Sequence, residues 1–532
     1  MKGNVHRRFV LVFTALVVLV TLLFTGVAYS RGLESAARPT NKAWSPFDNI
    51  EKLKGSLEKV GYIWQEGKVN YLDYVKDTCE GLMVDTAFNN PAPNAYATLI
   101  LPPPPGGSKF PLEYLWQLGE QEAIVIVGNT PPAAKYFGYQ TLLGVLPISP
   151  WPPSADYRPF RIAPSVGDAI NIRTIKTIGP DHVERPIVII ITGHRGTEQA
   201  VRKAVLAAGY PDVIINVETI APALGPLGIN GEGSWYYWAH RVAVPENKDE
   251  LLDYLKGISE RFKVFRVTPN QNLAEKLGND PEPVPVLRVR GTGHTEMDLY
   301  PTLKLLRQAI LDHYAGKQYE ELDTHVYRGA TSDGAEVSLE KPYAGLQRNV
   351  QVLGATRDTN YLGTYPNFRL RQGKDEFVIV YGVNHQLTGK ATYSSISAYA
   401  DKYRWFGVGT KLSTEFGNSA RDYLPADQYP DPNIDLLYAI KVARDCTGEL
   451  HCLEINQPAF LDLWGNPYPN NPSCSLDNLE TPGIDPGPFD INQEDIFFLF
   501  RSYMEPSTLV APDDNELLYD RAIYFGQYYN EP

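Results

Sequence analysis

The stretch RPIVIIITGHRGTEQAVRKAVLAAGYPDVIINVETI, residues 185–220, decides the reading of the fold. Its opening run of β-branched residues is too short for a helix and predicts a strand buried on both faces. From Thr197 the spacing turns helical, and TEQAVRKAVLAAG ends at Gly209 before a second strand, DVIINVETI. The same order then recurs. WYYWAHRVAV reads as a strand, NKDELLDYLKGI as a helix with Asn247 and Glu250 as a capping pair, and FKVFRVTP as a strand. Two consecutive β-α-β units predict an α+β fold, a ferredoxin-like βαββαβ sandwich over residues 185–269 with helices on one face of an antiparallel sheet. Such a scaffold hosts enzymes and binding modules alike, so function has to be argued from side chains.

Towards the N-terminus, LPPPPGG at 101–107 and PISPWPPSADYRP at 147–159 interrupt regular structure. Residues 51–98 read as short helical or mixed segments. Towards the C-terminus, PVLRVRGTGHTEMD reads as a strand running into the helix LYPTLKLLRQAILDHYAG, whose Leu303, Leu306 and Ile310 share one face. Beyond about residue 320 the pattern becomes β. The expected organisation is a signal segment (1–30), a tether and mixed segment (31–120), an α+β domain (121–320) and a second, mostly β domain (321–532). EAIVIVGNTPPAAKYFGYQTLLG and DEFVIVYGVNHQLTGKATYSSISAY share V-I-V near a glycine and then a tyrosine. This suggests a distant duplication, although short apolar strands also look alike by chance.

Lys2, Arg7 and Arg8 precede twenty uncharged, mostly apolar residues, 9–28, which read as a signal peptide or signal anchor. The length suffices for a transmembrane helix, and Ala28, Tyr29 and Ser30 form an acceptable cleavage site. The expectation is an exported chain, either secreted or held at the membrane by an uncleaved N-terminal helix. The chain carries 49 basic and 62 acidic residues. Without residues 1–30, which hold three basic and no acidic side chains, the balance is 46 minus 62, or −16, and nucleic acid is excluded as a partner on electrostatic grounds.

Four cysteines in an exported chain predict disulfides. Cys446 and Cys452 enclose a short Thr-Gly turn and are expected to pair, leaving Cys79 for Cys474.

Three histidines carry the catalytic reading. His194 follows IVIIITG, His294 follows LRVRGTG and His385 follows VIVYGVN, each expected just past a buried strand in a glycine-containing loop. With Glu296 as a neighbouring carboxylate, they could supply acid-base or metal-ligand groups to a hydrolase or lyase. The bland reading is strong: Thr197 and Thr295 can cap the following helices, making Glu198, Glu296 and Asp298 first-turn acids. No nucleophile elbow, zinc-binding helix, Walker loop or dinucleotide turn occurs in the required context, and the sequence names neither cofactor nor metal. Arg357 beside Asp358 and Arg444 beside Asp445 read as local salt bridges.

The alternative is a non-catalytic surface protein. The chain holds 33 tyrosines and 8 tryptophans, rings that suit ligand stacking, and GSWYYWAHR gathers four of them around His240. Core packing is the better reading of that particular strand, because alternate residues face inward. The ligand stays unidentified.

Overall fold

The computed structural model describes residues 44–72, 94–107, 113–145, 165–179, 181–229, 233–326, 328–330, 336–338, 356–373, 375–400, 406–456 and 490–527. The strands of the first half are β1 (Tyr62–Tyr71), β2 (Asn94–Ile100), β3 (Ala123–Asn129), β4 (Ala134–Val145), β5 (Ile170–Asn171), β6 (Pro186–Thr192), β7 (Ile215–Thr219), β8 (Trp235–Pro245) and β9 (Phe262–Pro269). They join in the order β5-β4-β8-β2-β1-β9-β3-β6-β7. A short ribbon, β11 (Arg328–Ala330) with β12 (Glu336–Ser338), interrupts the second half. Its other strands are β10 (Tyr319–Val326), β13 (Thr359–Tyr365), β14 (Phe377–Val383), β15 (Tyr393–Ala400), β16 (Phe406–Leu412), β17 (Leu437–Ala443), β18 (Cys452–Glu454), β19 (Ile496–Tyr503) and β20 (Arg521–Phe525). Their order, β16-β15-β19-β13-β10-β20-β14-β17-β18, is that of the first half strand for strand.

The registers agree as well. Tyr71 faces Ala97 where Val326 faces Leu362, Gly138 faces Arg241 where Ser395 faces Arg501, and Ala123 faces Val267 where Phe377 faces Phe525. Both halves end in a parallel pair, β6 with β7 and β17 with β18. A helix precedes each: α1 (Ile50–Val60) before β1, and α5 (Tyr300–His313) before β10. The chain is therefore an internal duplication. In this alignment Gly128 matches Gly382, and a Cβ at either would strike a neighbour, the Phe262 ring or Asp520 Oδ1.

Each repeat is mostly β, a nearly closed, barrel-like nine-stranded sheet. In the first, β1 belongs to two layers: Tyr62–Gly67 pairs with β9, and Lys68–Tyr71 pairs with β2. Gly67 marks the corner, where a Cβ would stand 2.8 Å from the Ile100 carbonyl oxygen. The run in β6 is uninterrupted because both faces are covered. Ile187, Ile189 and Ile191 fill the core between the layers, and Val188 and Ile190 pack under α1 and α2 (Arg195–Ala207). In the second repeat, Leu303, Leu306 and Ile310 of α5 cover Ile379 and Ile523 in the same way. Two short helices, α3 (Lys248–Lys256) and α4 (Gln271–Leu277), complete the five α-helices among the described residues.

This corrects the ferredoxin-like sandwich and the contrast between an α+β and a mostly β domain. The segments expected in residues 185–269 all form, yet they do not assemble with one another. β8 lies in the other layer, and β9 is separated from β6 by β3. The strands that intervene come from residues 62–145, part of which reads locally as mixed segments. A second correction concerns PVLRVRG, which is an extended surface connection rather than a buried strand; Val286 and Val289 are 98% and 81% exposed. A third concerns the membrane: among the described residues no helix is long and apolar enough to cross one, and residues 9–28 lie outside them. Cys446 and Cys452 form a disulfide with a Cα separation of 5.7 Å, which is compatible with export. Cys79 and Cys474 lie outside the described residues.

Candidate functional site

Strand alternation builds a face that neither half buries alone. In β8, Tyr236, Trp238 and Val242 enter the first core, so Tyr237, Ala239, Arg241 and Ala243 turn the other way. In β19, Ile496, Phe498 and Phe500 enter the second core, which turns Phe497, Leu499, Arg501 and Tyr503 outward from it. These two outward faces meet. Tyr136 and Ala243 of the first repeat share a cluster with Tyr393 and Tyr503 of the second. Tyr136 and Tyr393 hold the same register position, and their rings lie 6.4 Å apart, while Tyr393 stacks on Tyr503 at 4.6 Å.

Two guanidinium groups stand between the repeats. Arg241 faces Tyr96 in β2 as Arg501 faces Tyr361 in β13. Arg241 is 92% buried, 4.3 Å from the Tyr503 ring of the other repeat and 5.2 Å from the Tyr96 ring. Its Nε and Nη2 are buried without a hydrogen-bond partner among the described residues. Arg501 donates from Nη2 to the Tyr399 hydroxyl at 2.8 Å and from Nη1 to Ser397 Oγ at 3.3 Å, both neutral groups. Neither arginine has a carboxylate partner among the described residues. The hydroxyls of Tyr393 and Tyr503 are also buried, without a hydrogen-bond partner among the described residues. Burial pushes Tyr361 up to about 12 against the pull of Arg501 and Arg241, so its hydroxyl stays protonated and able to donate. Tyr96, Tyr237 and Tyr361 are only partly buried and lie on the same outward faces as the two arginines.

A carboxyl group also ties the repeats together. Asp358 Oδ2 accepts from the Tyr136 hydroxyl at 2.8 Å and from Asn171 Nδ2 at 2.9 Å. Burial pushes Asp358 up to about 6, although both of those hydrogen bonds favour the ionised form. The expected local pairing of Arg357 with Asp358 is replaced by one with Asp168, at 3.1 Å.

The three loop histidines have separate surroundings. His194 caps α2 itself: Nδ1 accepts from the Thr197 backbone N–H at 3.1 Å, and Nε2 lies 3.0 Å from the Gly278 carbonyl oxygen and 3.1 Å from the Asp280 backbone nitrogen. His294 is exposed, just after a turn in which Glu516 Oε2 accepts the Thr292 backbone N–H at 3.0 Å. Only His385 and Glu296 meet. His385 Nδ1 lies 2.9 Å from Glu296 Oε1, and its Nε2 is 3.7 Å from Asp520 Oδ2. Glu296 also accepts from the Thr388 hydroxyl and the Leu518 backbone N–H, and Asp520 accepts from the Tyr438 hydroxyl. Burial would pull His385 down, yet Glu296 and Asp520 outweigh it and push it up to about 10. Burial likewise opposes the ionised form of Glu296, but His385 holds it below the ordinary carboxylate range. At neutral pH this is a fixed imidazolium between two carboxylates and not a proton acceptor. Nearby, Lys390 joins Glu505 at 3.0 Å and Glu516. Together these pairs fasten the loops after β14 and β19 to the segment before α5. Among the described residues no cluster of His, Cys, Asp or Glu is arranged to hold a metal ion.

Sequence reasoning passed over Arg241, Arg501, Tyr96 and Tyr361. His240, at the centre of the aromatic strand, does pack inward, 4.3 Å from the Tyr139 ring. The available signal was one residue further on. WAHRVAV and FLFRSYM each place an arginine inside an otherwise apolar strand, a cation that the sheet itself cannot solvate.

No protein-family model matches the chain, and no curated protein resembles it in sequence. Among solved structures, the VPA0106 protein from Vibrio parahaemolyticus is similar over 91% of this chain and 100% of its own, with 11% identity and a TM-score of 0.35. Truncated AlyQ with CBM32 and alginate lyase domains matches over 88% and 98%, with 10% identity and a TM-score of 0.13. Likeness at these levels carries neither fold nor function to the chain.

Proposed function

We propose that this is an exported, non-catalytic protein that binds a ligand in the tyrosine-lined cleft between its two repeats. The observation that carries the reading is Arg241: a nine-tenths-buried cation with two donors that have no partner among the described residues, set against the Tyr96 and Tyr503 rings on a face shared by both repeats. Unsatisfied buried polar groups are uncommon in a resting core, and convergent polar groups among rings are the usual form of a ligand pocket. The hydrolase or lyase reading is the weaker one. His194 is committed to a helix cap, His294 is solvent-facing, and His385 is held charged by two acids.

A thermal-shift screen tests the reading, using neutral sugars, aromatic alcohols, carboxylates and phosphates. Compounds that raise the melting temperature of the wild type should lose that effect in Tyr96→Ala and Tyr361→Ala. If every active compound stabilises both variants as well as the wild type, the cleft is not the site.

A further inference from the structure

Resting on the cleft reading, we infer that the ligand is an organic oxyanion, with one acid group seated on the buried, unpartnered Nε–Nη2 edge of Arg241 and its carbon skeleton against Tyr96 and Tyr361. The two unpartnered donors, Nε and Nη2, lie on the same side of the guanidinium. They form the parallel fork that accepts both oxygens of a carboxylate or phosphate. A neutral ligand would leave the charge uncompensated in a low-dielectric interior, where an isolated ion is strongly disfavoured.

The rest of the cleft has the same sign. Arg501, from the equivalent strand, contributes a second positive charge, and its hydrogen bonds go to Ser397 and Tyr399, which do not neutralise it. Both guanidiniums act electrostatically on Tyr361 and on Tyr393, so they share one environment. The Tyr393 and Tyr503 hydroxyls, without a hydrogen-bond partner among the described residues, add donors beside Arg241. The carboxyl of Asp358, which bonds the same Tyr136 that packs on Tyr503, is turned to Tyr136 and Asn171, with burial favouring its neutral form. Because Arg501 already has hydroxyl partners, it attracts the anion through its field, and the direct fork belongs to Arg241. A chain with net charge −13 repels anions over its surface, so this interior pair supplies the selectivity.

Isothermal titration of the full chain at pH 7 and low salt tests this, with succinate, benzoate, inorganic phosphate and glucose as probes. At least one of the three anions should bind. Arg241→Gln should weaken it about 100-fold, Arg241→Lys about 10-fold, and Arg501→Gln by less than Arg241→Gln. Benzoate or succinate above phosphate assigns an organic acid, and phosphate alone a phosphoryl group. Folding is checked by the melting temperature, which Arg241→Gln should leave unchanged or raise, because it removes an unpaired buried cation. Glucose binding that is equal in wild type and Arg241→Gln, with no anion bound, would overturn the anion assignment while keeping the cleft. No binding of any anion at 10 mM, or anion binding untouched by Arg241→Gln, would overturn it outright; ~10 mM is a loose ceiling beyond the millimolar range of weak sites.

Discussion

Arg241 and Arg501 occupy the same register position of two equivalent strands, each opposite a tyrosine of the neighbouring strand, Tyr96 or Tyr361. Duplication has thus placed two cations on faces that the two repeats turn towards each other. A single repeat would expose such a face to water. Two repeats close over it, so that both arginines are more than nine-tenths buried.

The His385–Glu296 contact should behave as a buried ion pair. His385→Gln is expected to cost about 3–5 kcal/mol at pH 6, the range for breaking a buried pair. The folded imidazole sits near 10 against an unfolded value of about 6.5, so its contribution is complete below about pH 6.5 and is lost as pH rises through 10. Denaturant unfolding of wild type and variant between pH 6 and 10 should show the gap closing. A gap that does not depend on pH would contradict the assignment.

His194 and His294 should separate in the opposite sense from a catalytic pair. His194→Ala removes the cap of α2 and should cost about 1–2 kcal/mol, whereas His294→Ala, at an exposed position, should change stability by less than about 0.5 kcal/mol. Ligand binding should be unaffected by either. A loss of binding in His294→Ala with stability intact would return that loop to the functional site.

Asp358 predicts a stability change at mildly acidic pH. A carboxyl raised from 3.8 to about 6 on folding favours the native state while both forms are protonated, and that advantage fades as pH rises from about 4 to about 6. Asp358→Asn keeps an acceptor for Tyr136 and Asn171 and does not ionise. Relative to wild type it should therefore gain about 2–3 kcal/mol between pH 4 and pH 7.5. Parallel pH dependences in the two proteins would contradict this.

Much of the local structure was legible because it depends on neighbours in sequence. The strand–helix–strand run of residues 185–220, the Asn247 cap and the buried face of Leu303, Leu306 and Ile310 all form as their spacing implies. The assembly was not legible. Which strand pairs with β9 depends on β1 and β3, more than a hundred residues away, and no local period encodes that. The likeness of EAIVIVG to EFVIVYG did carry the duplication, since Glu122 and Glu376 immediately precede equivalent strands and Tyr136 and Tyr393 follow in equivalent places. The cleft was hidden for a related reason. In WYYWAHR, period-two alternation correctly sends His240 inward, but what receives Arg241 is the other repeat, which a strand-level reading does not contain.

The Cys446–Cys452 bridge closes a small loop between β17 and β18, where the first repeat has α2. Replacing both cysteines with serine should lower stability by about 2 kcal/mol, with the cleft unchanged in affinity. Equal stability of the double variant and the oxidised wild type would mean that the loop holds its geometry without the bridge.

The most direct test of a ligand site between the repeats is diffraction from crystals soaked in 4-iodobenzoate, whose iodine reports its position by anomalous scattering. The account predicts an iodine peak in the cleft between β8 and β19, near Tyr96 and Tyr361, with the carboxylate on Nε and Nη2 of Arg241. Iodine found only elsewhere on the molecule, with Arg241 unoccupied at saturating soak, would contradict it.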